Sequence, residues 1–144
     1  KAVVGSAETV NGSITVGAEA EVQKGVDAVN GSLTLRQGAK VAGGLENVNG
    51  SMLVEGARVE GGIETVNGDI RLATGSHVTG GIHVEEHKSS WWKGKESRNP
   101  RITIEQGVTV EGPLHFERAV DLYVAPGVNL PPVEGVQPQR FTLQ

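Results

Sequence analysis

Four histidines, His77, His83, His87 and His115, are the residues of this 144-residue chain most able to ligate a metal or move a proton near neutral pH. His77 and His83 are six residues apart and both neighbour apolar positions, so both are expected to face solvent, with no acidic residue or third histidine at a ligand spacing. Glu21, Glu46, Glu60 and Glu64 read as a scattered, solvated surface, not as the paired carboxylates of glycoside chemistry. Serine, histidine and aspartate occur without a nucleophile elbow, and Gly43-Gly44 belongs to no phosphate-binding or dinucleotide fingerprint. The absence of cysteine excludes thiolate ligands, disulfides and cysteine nucleophiles. The expectation is a non-enzyme with no catalytic residue, no cofactor and no metal site.

The strongest pattern lies elsewhere. Val10-Asn11-Gly12-Ser13, Val29-Asn30-Gly31-Ser32, Val48-Asn49-Gly50-Ser51 and Val66-Asn67-Gly68-Asp69 start 19, 19 and 18 residues apart. Inside each unit runs a beat of about six residues that opens on an aliphatic side chain, as at Val10, Val16 and Val22 or Val66, Leu72 and Val78. Most beats carry a second apolar or small residue four positions on, such as Ile14, Ala20, Leu33 and Ile70. Three short sides per unit follow. Alternation in Ile14-Thr15-Val16 and Leu33-Thr34-Leu35 has the period of a strand, and aliphatic residues without aromatic bulk suit a narrow interior. Hairpins would also use Asn-Gly turns, but here the same strand comes round again, which predicts an all-β, three-sided parallel β-helix of 18–19 residues per coil. Val10, Val29, Val48 and Val66 then pile over one another as the chain winds around one aliphatic column.

In that frame the asparagines form one corner ladder, and Gly25, Gly44, Gly62 and Gly81 another, because both residue types accept turn geometry. Asn11, Asn30 and Asn49 match a glycosylation pattern only because one corner repeats. Asp69 in place of serine is a lone change. "VVGSAET" from Val3 aligns with "VQKGVDA" from Val22, "ITIEQGVTVEGPL" from Ile102 continues "IRLATGSHVTGGI" from Ile70, and "LYVAPGVNL" from Leu122 is one coil further on.

Between Ile82 and Ile102 lie about 13 residues more than a coil requires. The β-helix is therefore expected over residues 1–130, interrupted by a loop at about 85–100, with a proline-containing cap or tail over 131–144. The loop holds Trp91, Trp92, Lys93, Lys95 and Arg98, and indoles beside cations make these the candidate partner-binding residues, for a protein or a glycan. The alternative is that the indoles fold back over a side of the solenoid.

Net charge is −4 with both signs interspersed, which leaves no nucleic-acid or anionic-membrane footprint. No apolar run reaches the roughly 20 residues of a transmembrane helix. The chain opens on Lys1, without Met or a signal peptide, and something upstream is expected to have been removed, whether a signal, an anchor or simply more of the chain.

"ETVNGSI", "VNGSLTL", "ETVNGDIRL" and "GARVEGGIE" resemble the repeats of two kinds of bacterial β-solenoid, the bactofilins, which are polymer-forming cytoskeletal proteins, and the adhesin-like solenoids of the cell envelope. The resemblance implies a right-handed three-sided β-helix, self-assembly without nucleotide, and no catalytic residue to carry over. The Trp-containing insertion departs from the bare bactofilin core. A six-residue beat is also that of trimeric left-handed hexapeptide enzymes, acyltransferase or metal-dependent, although units of 19, 19 and 18 residues break a strict hexad and β crossovers favour the right hand. The expected function is a structural or interaction solenoid of the bacterial envelope or cytoskeleton, the envelope favoured, acting by self-association or through the Trp91/Trp92 loop. A glycan-binding adhesin is the further alternative.

Overall fold

The structure is a computed structural model that describes residues 3–85 and 100–142. The first coil comprises β1 (Val3–Val4), β2 (Ala7–Asn11) and β3 (Ile14–Val16), and the second β4 (Glu21–Val22), β5 (Val26–Asn30) and β6 (Leu33–Leu35). The third comprises β7 (Lys40–Val41), β8 (Leu45–Asn49) and β9 (Met52–Glu55), and the fourth β10 (Arg58–Val59), β11 (Ile63–Thr65) and β12 (Ile70–Ala73). β13 (His77–Val78), β14 (Ile82–Val84) and β15 (Arg101–Ile104) make the fifth. β16 (Thr109–Val110), β17 (Leu114–Phe116) and β18 (Asp121–Val124) make the sixth, and β19 (Val133–Gly135) and β20 (Gln139–Thr142) complete the series. Equivalent strands pair in parallel into three sheets of six, seven and seven strands, the three sides of a β-solenoid. The described residues include no helix, and so none long and apolar enough to cross a membrane.

Each side sends alternate residues inward. Val26 and Ala28, Leu33 and Leu35, and Ala39 and Val41 bury the interior of one circuit, and their counterparts stack above and below into one continuous aliphatic core. Ser76 stands where other coils place alanine, and its hydroxyl accepts the Gly56 N–H at 3.1 Å while donating toward the Ala73 or Val54 carbonyl. That satisfies a buried polar group inside an apolar column.

The corners carry the recurrent residues. Between sheets two and three, Asn30, Asn49 and Asn67 each donate Nδ2 to the Oδ1 of the preceding asparagine, at 3.2, 3.0 and 3.2 Å. Arg118 closes this ladder by donating to Asn67 Oδ1 at 2.7 Å. Between sheets one and two, Val26, Leu45, Ile63 and Ile82 donate to the carbonyls of Gly44, Gly62, Gly81 and Pro113. A proline serves there because its carbonyl is the group used. The third corner repeats Gly38, Gly56, Gly75 and Gly107 at φ between 62° and 89°, with Glu19 at φ 61° taking that place in the first coil.

Three placements differ from the sequence reading. Val10, Val29 and Val48 do stack, flanked by the paired Thr9/Ala28 and Asn11/Asn30, but on the outside, 62%, 39% and 37% exposed. The cause is strand length: on sheet two the five-residue strands run in, out, in, out, so the valine one residue past the second inward position faces solvent. Val4, not Val3, pairs with Val22, since the following corner of the second coil is one residue longer. The segment 131–144 supplies β19 and β20, which pair with β17 and β18, so strand stacking continues past the prolines.

Asp69 also has a function in the fold. Its carboxylate accepts the backbone N–H of Arg101 at 2.9 Å, fixing the chain where it re-enters sheet three. Ile70 pairs with Ile102, 32 residues on, whereas its other neighbour Met52 is 18 back. The extra residues therefore fall between β14 and β15, at the corner that other coils turn with Asn-Gly.

Candidate functional site

The outer face of sheet two gathers most of the chemistry. Parallel pairing in register puts Glu8, Asp27, Glu46, Glu64, His83, His115 and Glu134 in one outward column. A second outward column, two residues along each strand, begins with Val10, Val29, Val48 and Val66 and continues as Glu85 and Glu117, whose N–H groups donate to Thr65 and Val84. The face is thus acidic and apolar toward its N-terminal coils and rich in histidine and glutamate toward its C-terminal coils.

Stacking carboxylates one strand spacing apart, about 4.8 Å, sets like charges directly opposite one another. Partial burial, then the charge of Asp27, raises the Glu46 carboxyl above its ordinary range. Glu64 is pushed up to about 7, chiefly by a hydrogen bond shared with the Glu85 carboxyl, then by burial and by repulsion from Glu85 and Glu46, with His83 pulling the other way. A proton held between Glu64 and Glu85 near neutrality relieves part of the repulsion in the column.

Beyond Glu64 the column passes from carboxylates to imidazoles. His83 Nε2 lies 2.9 Å from Glu117 Oε2, and His115 Nε2 is 4.0 Å from the same oxygen. The opposite nitrogens face other carboxylates, His83 Nδ1 at 3.7 Å from Glu64 Oε2 and His115 Nδ1 at 3.5 Å from Glu134 Oε1. The two imidazoles meet edge to face, with centroids 4.9 Å apart and planes at 85°. A groove of about 650 Å³ runs beside them along the glycine corner, with Asp27, Glu46 and Glu64 on its wall.

Here two expectations are corrected. Glu46 and Glu64 are not scattered but adjacent in one column, and His83 does have acidic and histidine partners. His77 also has one, with Nε2 at 2.5 Å from Glu111 Oε2 on the outside of sheet one. The partners escape a search by sequence spacing because the insertion sets them 32 and 34 residues from the histidines. The signal was present all the same, since the offset that lays Ile102 over Ile70 lays His115 over His83. Trp91, Trp92, Lys93, Lys95 and Arg98, with His87, lie outside the described residues.

Fold and face define a three-sided parallel β-solenoid with an ordered array of titratable side chains along one side. No protein-family model, curated protein or solved structure matches the chain.

Proposed function

We propose that the chain is a non-enzymatic structural solenoid of the bactofilin or envelope-adhesin kind, located in the bacterial cell envelope, and that it works by self-association. The observation that carries this reading is the outward valine column, since Val10, Val29 and Val48 place exposed apolar side chains at strand spacing where solvent would select polar ones. The occupant that fits is a second copy, because another solenoid of the same sequence repeats its groups at the same spacing. Two copies related by a two-fold axis parallel to the solenoid axis set valine column against valine column. The same operation lays the acidic column of each copy over the asparagine column of the other. Each asparagine amide has two N–H groups, of which the ladder uses one, so the second is left to donate to a carboxylate.

The double substitution Val29→Glu and Val48→Glu tests this on side chains that support no core contact. Sedimentation velocity over a concentration series is expected to show association of the wild type, weakened at least about tenfold in the double variant, or about 1.4 kcal/mol. The β circular-dichroism signal should be unchanged. A wild type that stays monomeric throughout, or a variant that associates equally well, would remove the valine column from the account.

A further inference from the structure

We infer that His83, His115 and Glu117 bind one divalent transition-metal ion of the zinc type, and that this ion staples the fifth coil, which the insertion interrupts, to the sixth. The ligand atoms already lie within 4.8 Å of one another. A tetrahedral zinc ion with bonds of about 2.0–2.2 Å needs its ligand atoms roughly 3.3–3.5 Å apart, which small side-chain rotations on this surface supply. Two imidazoles and a carboxylate are donors that zinc accepts, and three protein ligands leave the fourth position to water.

A second feature is independent of the ligand triad. Each histidine turns its Nδ1 toward a carboxylate, Glu64 for His83 and Glu134 for His115, while both Nε2 atoms converge on Glu117. A metal on Nε2 replaces the hydrogen bond to Glu117 and leaves the ring proton on Nδ1, the side on which these carboxylates stand to orient the ring and raise its basicity. The two rings meet edge to face, with both Nε2 atoms on the side of Glu117 Oε2, at 2.9 and 4.0 Å. All five residues sit on strands or directly beside them: Glu64 on β11, His83 on β14, His115 on β17 with Glu117 next to it, and Glu134 on β19. The carriers are therefore rigid, and they span four consecutive coils.

The placement also gives the ion a purpose. The asparagine ladder ends at Asn67, which Arg118 of the sixth coil caps, and the next position of its register in the fifth coil lies outside the described residues. His83 precedes the insertion in the chain and His115 and Glu117 follow it, so a bound ion cross-links the two coils that stand beyond Asn67.

The test is titration of the chelator-stripped full chain with Zn²⁺ by calorimetry, with thermal melts at each ratio. One ion per chain and a melting temperature that rises until that ratio is reached are expected. His83→Gln and His115→Gln should each lose at least about hundredfold in zinc affinity, and Glu134→Gln about 10- to 100-fold, as outer-shell partners do. His77→Gln, whose partner Glu111 belongs to another side, should bind as the wild type does. Circular dichroism of each stripped variant checks that it remains folded, and Co²⁺ in place of Zn²⁺ should give the intense visible bands of tetrahedral ligation only when both His83 and His115 are present. No stoichiometric uptake by the wild type, unchanged affinity in His83→Gln or His115→Gln, or equal loss in His77→Gln would each overturn the assignment. None of these readouts depends on whether the chain self-associates.

Discussion

Replacing Gly31 with alanine is expected to cost about 3 kcal/mol or more, at the upper end of what overpacking does and a large part of the total stability of a domain this size. The reason is space, not backbone conformation. A Cβ on Gly31 would fall on the carbonyl oxygen of Gly12 in the preceding coil, with that group's carbon 2.5 Å away, and both are backbone atoms that no rotamer change can move. To make room, the corner has to open by more than an ångström. That breaks the Gly12 N–H bond to the Asn30 carbonyl and pulls Asn30 away from Asn11. Gly17→Ala is the control, because nothing lies within 4 Å of a Cβ there and its φ is not in the left-handed region. It should be neutral or stabilise by about 0.4–1 kcal/mol through the unfolded chain. Urea melts of both variants decide the matter, and a Gly31→Ala protein as stable as the wild type would mean that the corners are not stacked as closely as described.

Phe116→Ala is the second large effect, expected at about 3–5 kcal/mol. Phe116 is the one aromatic side chain in the buried core of the described residues, and it is fully enclosed. Its inward column is otherwise filled by short or slender residues, Ala28, Asn47, Thr65 and Val84, and the residue paired above it is Gly135. The ring fills room that a glycine leaves, so no neighbour can collapse into the cavity once it is removed, which puts the cost toward the top of that range. Phe116→Leu, which keeps most of the volume, should cost less than about 1.5 kcal/mol. Chemical denaturation with both variants measures the difference. Equal and small losses would show that the interior is looser at this level than its packing implies.

How much of this could be read from the residues varies from corner to face. The asparagine ladder, the Gly25 column and the position of Pro113 were legible because the same residue type, or one with the same carbonyl, returns at a fixed interval. The insertion was legible as surplus length. The valine at the end of each sheet-two strand was not, because valine serves equally inside and outside, and only the length of the strand decides which way it points. The third corner was harder still, since Glu19 holds a left-handed conformation that glycine holds in the other coils. The histidine and glutamate column lay hidden for a different reason. Its members are unlike one another, so nothing repeats, and they come together only when the surplus residues are counted into the register.

That register across the insertion is the central claim, and a pair of cysteines tests it most directly. The chain has no native cysteine to interfere. Arg71 and Thr103 are paired on neighbouring outward positions of β12 and β15, 32 residues apart. Adjacent strands place such Cα atoms about 4.8–5 Å apart, inside the range a disulfide accepts. Under mild oxidation the Arg71→Cys/Thr103→Cys protein should form an intramolecular disulfide at a rate independent of protein concentration. Arg71→Cys/Thr109→Cys, with the second residue on another side, should form none. Equal cross-linking in both pairs, or only intermolecular products from the first, would contradict the stacking on which the corners, the valine column and the histidine cluster all rest.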